Sequence, residues 1–344
     1  MTGRHGEEPQ SHSVHNAFTH LSMDRAARRR QDKAWITERL EAPSTRFLAV
    51  WGSKVLVTGG SSPRLVWIRS DDVPRLRMQA ESVNLLGECR ADHSGDAEDD
   101  IDPPTDTSRP RAYVALGFPP SDEPPSSLTD LGAFRHLRAV APLLDDQSAA
   151  VLAYAKAMVH YHHQHRFCGS CGAPMESREG GHLRVCTNPE CGQHDFPRTD
   201  PAIIVLVSSG ERCLLGRQPT WPESFYSIIA GFVEPGESLE GAVAREVREE
   251  TGVRVKRVRY HSSQPWPFPR SLMIGFTAEA GSTGIRLNDG ELEDARWLSR
   301  QAIVRELEQG TLRLPSPISI SHRLIEAWFD AESPVTLRDI FEPP

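Results

Sequence analysis

Apolar residues fall along this chain in two patterns. The first is short, nearly continuous and rich in β-branched residues: 45–51, 54–58, 64–69, 83–87 and 111–117, then 202–207, 212–217, 227–230 and 272–279. Bounded by Gly, Pro, Asp and Ser, these runs predict strands, with a hairpin turning at Gly52-Ser53 and a second hairpin at 202–217 opening a mixed sheet. The second pattern repeats at helical spacing. Residues 145–163 carry Ala149, Ala150, Leu152, Ala153, Ala155, Met158 and Val159 with no Pro or Gly, and predict a connecting helix. Leu239, Val243 and Val247 mark another helix, 24–40 a basic one, 299–308 and 321–330 the last two. The prediction is an α+β chain divided into a tail (1–23), a β-rich N-terminal domain (24–144), a connecting helix (145–164), a cysteine module (165–197) and a mixed-sheet domain (198–344).

Length changes that picture little, since 344 residues suit two large units and a small module. Residues 1–23 are rich in His, Ser, Glu and Gly, bury too little to offset ordering entropy, and predict disorder. No apolar run approaches the about 18 residues of a membrane span, and the N-terminus has no apolar signal core, so the expectation is a cytoplasmic protein without membrane contact. With 47 acidic against 39 basic residues, the balance argues against nonspecific wrapping of nucleic acid through a basic surface, though not against a local basic groove. The β-rich domain carries no catalytic constellation and reads as scaffold or dimer surface.

Cysteine adds the first chemistry. Cys168-Gly-Ser-Cys171 is followed after 14 residues by Cys186-Thr-Asn-Pro-Glu-Cys191. Two close pairs held apart by a short ribbon let four thiolates converge tetrahedrally on structural zinc, and glycines after Cys168, Cys171 and Cys191 suit the knuckle turns. Disulfides are the alternative, but a reducing cytoplasm disfavours them. His162, His163 and His165 read as a solvated helix end, Cys89 and Cys213 as packing residues.

The densest signal is the stretch from Gly231 to Val253. On a helical wheel Glu246, Glu249 and Glu250 fall within an arc of roughly 100° that overlaps the Leu239, Val243, Val247 stripe. Three acids at such spacing repel one another, and Mg²⁺ or Mn²⁺ is the oxygen-bound counter-charge that turns the crowding into a site for phosphate chemistry. Gly231, Glu237, Arg245, Glu246, Val247, Glu249, Glu250, Gly252 and Val253 occupy every fixed position of the Nudix box, so the stretch resembles the Nudix hydrolases. That resemblance implies an α/β/α sandwich and metal-dependent cleavage of a pyrophosphate bond in a nucleoside diphosphate derivative.

A second stretch, Ser263-Gln-Pro-Trp-Pro-Phe-Pro-Arg-Ser271, interleaves prolines with Trp266 and Phe268 and predicts a stiff wall able to line a base or nicotinamide pocket. With the box and the four cysteines it resembles the NADH pyrophosphatase family of Nudix enzymes, over about residues 145–330. The resemblance implies NADH or NAD as substrate, cleaved to reduced or oxidised nicotinamide mononucleotide and AMP, and extends to the NAD cap of RNA. It implies catalytic Glu246, Glu249 and Glu250. Divalent-metal ligands would be Glu246, Glu250, Glu291 and the Ala230 carbonyl, and zinc ligands Cys168, Cys171, Cys186 and Cys191. Substrate contacts would come from Phe196, Phe232, Gln264, Pro265, Trp266, Pro267, Phe268, Pro269, Arg270, Ser271 and Ser321. Phe196 stands where the family commonly has tyrosine. Glu237 and Arg245 read as partners that hold the box loop on its helix. A homodimer is the family's usual assembly. The competing readings are a Nudix hydrolase of ADP-ribose or nucleotide sugars, and, in another class, a zinc-ribbon RNA-binding module with an inactive box.

Overall fold

The structure, a computed structural model, describes residues 12–69, 73–89, 110–287 and 290–341. Two compact units form: His20–Thr199 with Pro267–Arg270, and Asp200–Trp266 with Ser271–Pro344 and the N-terminal segment up to Thr19.

The first unit contains α1 (Lys33–Glu41), β1 (Arg46–Trp51), β2 (Lys54–Val57), α2 (Val73–Gln79), β3 (Ser82–Cys89), β4 (Arg111–Phe118), α3 (Ser126–Thr129), β5 (Ala133–His136), α4 (Leu137–Val140) and α5 (Asp146–Gln164). Its sheet runs β3-β4-β1-β2-β5, with β1 and β4 parallel and the other pairs antiparallel. Phe47, Leu56, Leu85, Val114 and Leu116 fill its core. Asp145 starts α5 by accepting the Ser148 N–H, and the helix buries the alanine-rich face anticipated from its spacing.

The cysteine module adds β6 (Met175–Arg178), β7 (Leu183–Cys186) and β8 (His194–Asp195) as a small antiparallel sheet. The second unit contains β9 (Asp200–Ser209), β10 (Arg212–Arg217), β11 (Ile229–Phe232), α6 (Leu239–Thr251), β12 (Val255–Trp266), β13 (Ser271–Ala280), β14 (Asp294–Ser299), α7 (Arg300–Glu308), α8 (Ile320–Asp330) and α9 (Leu337–Phe341). Its sheet runs β12-β13-β9-β10-β14, with β11 added on β9.

The two large sheets share one plan. In both, the pairing sense along the sheet is antiparallel, parallel, antiparallel, antiparallel. In the first the counterpart of β11 is reduced to isolated bridges, Ile68 to Phe47 of β1 and Leu65 to Val57 of β2, and the seven-residue α2 stands where the second unit has the acidic α6. A scaffold with the layout but not the acids accounts for the missing catalytic constellation.

Several expectations are corrected. Residues 64–69 form only isolated bridges, Leu65 to Val57 and Ile68 to Phe47, while α2 and β5 went unread. The helix expected from residue 24 begins at Lys33, because Asp32 caps it by accepting the Trp35 N–H. For the tail, residues 1–11 lie outside the described residues; from His12 the chain is ordered, with Asn16 and Phe18 buried at 1% and 4% exposure. That short segment gains by pairing with β12 what it lacks in apolar area.

His162 is likewise no solvated helix end but 2% exposed. Its Nδ1 accepts from Arg184 Nη1 (2.7 Å) and its Nε2 donates to Gly181 O (2.8 Å), an arrangement only the neutral ring can make. His182 Nε2 donates to Leu85 O at 2.8 Å. Burial pushes both imidazoles from 6.5 down to about 4. A histidine depressed in the folded state contributes stability that is complete above the unfolded value and lost as pH falls toward the folded one. Acidification from pH 6.5 to 4 is therefore expected to remove about 3 kcal/mol per histidine. Urea titrations across that range check this, and His162→Gln should flatten the pH dependence.

Candidate active site and zinc centre

Each zinc knuckle is built by backbone bonds around a cysteine pair. Cys168 N donates to Ala173 O (2.8 Å) and Gly172 N to Cys168 O (2.9 Å), while Cys191 N donates to Asn188 O (3.0 Å). Gly172 and Gly192 take φ of 75° and 56°, conformations that favour glycine. The ligand atoms of Cys168, Cys171, Cys186 and Cys191 lie within 4.8 Å of one another and make the structural zinc site. N–H groups of Ser170 and Cys171 pull the Cys168 thiol down to about 7, while burial pushes the Cys186 thiol up to about 12, so the charge of zinc itself is needed to hold all four as thiolates.

In the catalytic unit, α6 is fixed at both ends. Ser238 caps its N-terminus by accepting the Gly241 N–H, and Gly252 closes its C-terminus at φ 71°. Ala242, Val243 and Val247 are buried, and with them Glu246 and Glu250, at 9% and 4% exposure. Glu249 faces outward. The acids thus edge the apolar stripe as the wheel predicts, with two inside and one in reach of solvent.

β11 is pressed against this acidic face at Gly231, where an added Cβ would lie 2.0 Å from the Glu246 carboxylate. Only glycine leaves that room. Arg245 ties the loop to the helix: Nε and Nη2 grip both oxygens of Glu237 at 2.9 Å, Nη1 donates to Glu246 (2.8 Å) and Glu249 (3.1 Å), and Nη2 reaches Phe232 O (2.9 Å). These acids raise the guanidinium pKa, Glu237 foremost, and Arg245 in turn lowers that of Glu237. Burial raises the Glu246 carboxyl despite Arg245, and the neighbouring charges of Glu249 and Glu291 add to the rise. Glu291 therefore belongs electrostatically to the same site. Buried and crowded hard-oxygen donors with one shared cation fit a Mg²⁺ or Mn²⁺ ion. Among the described residues, only the cysteines bring three or more metal-ligating atoms within 4.8 Å.

The expected substrate residues divide. Phe232 and Phe196 are exposed at 59% and 56%, Phe196 standing edge-on to His194 at 6.5 Å. Pro265 and Pro269 are exposed, and Ser271 pairs with Asp200 and Trp266 across the sheet. Gln264 is fully buried, its Nε2 donating to Ile318 O (2.7 Å) and Ala17 O (3.1 Å) and its Oε1 accepting from Ile320 N (2.8 Å). Every polar atom of that amide has a backbone partner. Ser321 is also buried, its Oγ 2.8 Å from Ser227 Oγ at the foot of α8. Pro267 is buried, its carbonyl accepting from Lys156 Nζ at 2.5 Å. The Phe268 ring has Arg138 at 4.7 Å and Lys156 at 5.0 Å, and burial first, then the charges of Lys156 and Arg270, lowers the pKa of His160 nearby. Burial, then Arg138, brings the Lys156 amine from 10.5 down to about 8. Sequence reading missed Lys156 entirely. A lone lysine on an alanine-rich helix face is the trace it left.

Comparison with known proteins matches this architecture piece by piece. The family described as NUDIX domain covers residues 197–316, the NADH pyrophosphatase zinc ribbon domain 163–196, and the NADH pyrophosphatase-like rudimentary NUDIX domain 44–160, the unit whose sheet repeats the catalytic plan. Among curated relatives, the NAD-capped RNA hydrolase NUDT12 of Macaca fascicularis is 33% identical over a 361-residue alignment spanning 95% of this chain and 77% of that protein. The NAD-capped RNA hydrolase NudC of Mycobacterium bovis is 44% identical over 206 residues, 57% of this chain and 65% of its own. With three family domains in order and a relative matched over most of both lengths, the chain belongs to the Nudix hydrolases, in their NADH pyrophosphatase family.

Proposed function

We propose that this enzyme hydrolyses the diphosphate of NADH or NAD to the nicotinamide mononucleotide and AMP, and removes NAD caps from RNA 5′ ends by the same reaction. The observation that carries the reading is Glu246 seated on Gly231 beside Glu250, in a chain that also holds the family's zinc ribbon. Glu246, Glu250, Glu291 and the Ala230 carbonyl would hold Mg²⁺ or Mn²⁺, which supplies charge neutralisation at the diphosphate oxygens. Arg245 keeps the box loop and Glu246 in register through Glu237 and Phe232 O. Glu249, reached by solvent, would orient the attacking water. Phe196 and Trp266 would stack on substrate rings. Among the described residues no helix is long and apolar enough to cross a membrane, and we place the reaction in the cytoplasm, with a homodimer as the working assembly.

Phe196→Ala tests the substrate. Losing one stacked ring is expected to cost about 1–3 kcal/mol, a ten- to hundred-fold fall in kcat/KM for NADH and for NAD-capped RNA alike. ADP-ribose loses less if the nicotinamide stacks there and equally if the adenine does. A wild-type enzyme that prefers ADP-ribose or UDP-sugars, with Phe196→Ala indifferent to all substrates, would leave a Nudix hydrolase of another specificity.

A further inference from the structure

The segment His12–Thr19 precedes the N-terminal domain in sequence yet packs with the catalytic unit. It lies on β12, which among the described residues pairs with β13 alone and so presents an open sheet edge. Ser263 turns both of its backbone groups to that edge: its N–H donates to Ser13 Oγ (3.0 Å) and its carbonyl accepts from Asn16 Nδ2 (2.9 Å). The next residue, Gln264, donates to Ala17 O at 3.1 Å. Two residues further, the Trp266 ring has Phe18 at 6.1 Å. Phe18 is buried at φ 70°, a conformation that a bulky side chain holds only when its surroundings fix it. Thr19 Oγ1 supplies that restraint, donating to Asn16 O (2.6 Å) and lying 3.0 Å from Ser13 O.

The position of these contacts is informative. The first half of β12 carries exposed Lys256, Arg257 and Arg259, charges that guard an open edge against stray pairing. Nothing of that kind protects Ser262-Ser263-Gln264, and the segment's side chain–backbone bonds fall there, directly before Trp266. A cover needed only for edge protection has no reason to bury a strained phenylalanine against that tryptophan.

We propose that His12–Thr19 is a strap that fixes Trp266 in its substrate-binding position, with Asn16 and Phe18 as positioning residues that set affinity for the dinucleotide. This rests on the reading of Trp266 as a substrate contact. The test is steady-state kinetics of the full-length protein with NADH, separating kcat from KM for Asn16→Ala, Phe18→Ala, Phe18→Leu and Trp266→Ala. Both alanine variants of the strap are expected to raise KM about ten-fold while kcat stays within about two-fold, and Phe18→Leu to recover most of the loss. Asn16→Ala removes no apolar bulk and keeps the test valid if Phe18→Ala folds poorly. Unchanged KM in the folded strap variants, or activity lost only in proportion to folded protein, overturns the strap while Trp266→Ala still raises KM. If Trp266→Ala leaves KM unchanged, the underlying reading of Trp266 falls, and the strap with it.

Discussion

Glu246→Gln lowers kcat for NADH by on the order of 10²–10³-fold, the scale on which removal of one preorganised electrostatic group acts. Glutamine keeps the shape against Gly231 and a contact to Arg245 but removes a negative charge from a site whose task is to hold a divalent ion beside phosphate. Stability responds oppositely. The Glu246 carboxyl is raised by burial, so its ionised form is the costly one in the folded state, and the contribution of that group to stability is lost as pH rises through its folded pKa. At neutral pH without divalent metal, Glu246→Gln is expected to melt no lower than the wild type. Gly231→Ala should reach a similar activity loss by steric means, because its Cβ would displace the same carboxylate. A Glu246→Gln enzyme with near-normal turnover would place the chemistry elsewhere.

Cys168→Ser carries the second large effect. The ribbon's buried cluster consists of Cys168, Met175 and Cys186, with Ala173 and Cys191 packed beside it, far too small a core to fold without its metal. Purified wild type is expected to hold about one zinc per chain, and Cys168→Ser to lose it together with several kcal/mol of stability. Elemental analysis and thermal melts decide the point; wild-type protein prepared without chelators and free of zinc would refute the assignment.

The parts legible in the sequence are those in which spacing carries chemistry. Four cysteines at fixed intervals, and acids three and four apart on an apolar stripe, state their geometry through the backbone period alone. The rest depends on which elements meet. Strand runs in 44–118 predict a sheet but not its order, so the repeat of the catalytic plan in the first unit becomes visible only with the pairings. Composition marked His12–Thr19 as unable to order itself, which holds for an isolated segment and fails once β12 offers Ser263 and Gln264 as partners. Gln264 and Ser321 sit in diagnostic positions, yet their side chains are committed inside the unit. Motif spacing does not distinguish side chains bonded inside the unit in this way from side chains that face a substrate.

The most direct measurement is product identification after incubating the purified enzyme with NADH and Mn²⁺. Cleavage of the diphosphate adds one water and yields reduced nicotinamide mononucleotide and AMP in equal amounts, formed on the order of 10²–10³-fold more slowly in a Glu246→Gln control run in parallel. Release of nicotinamide with ADP-ribose, or intact NADH under conditions where a sugar nucleotide is consumed, would contradict it.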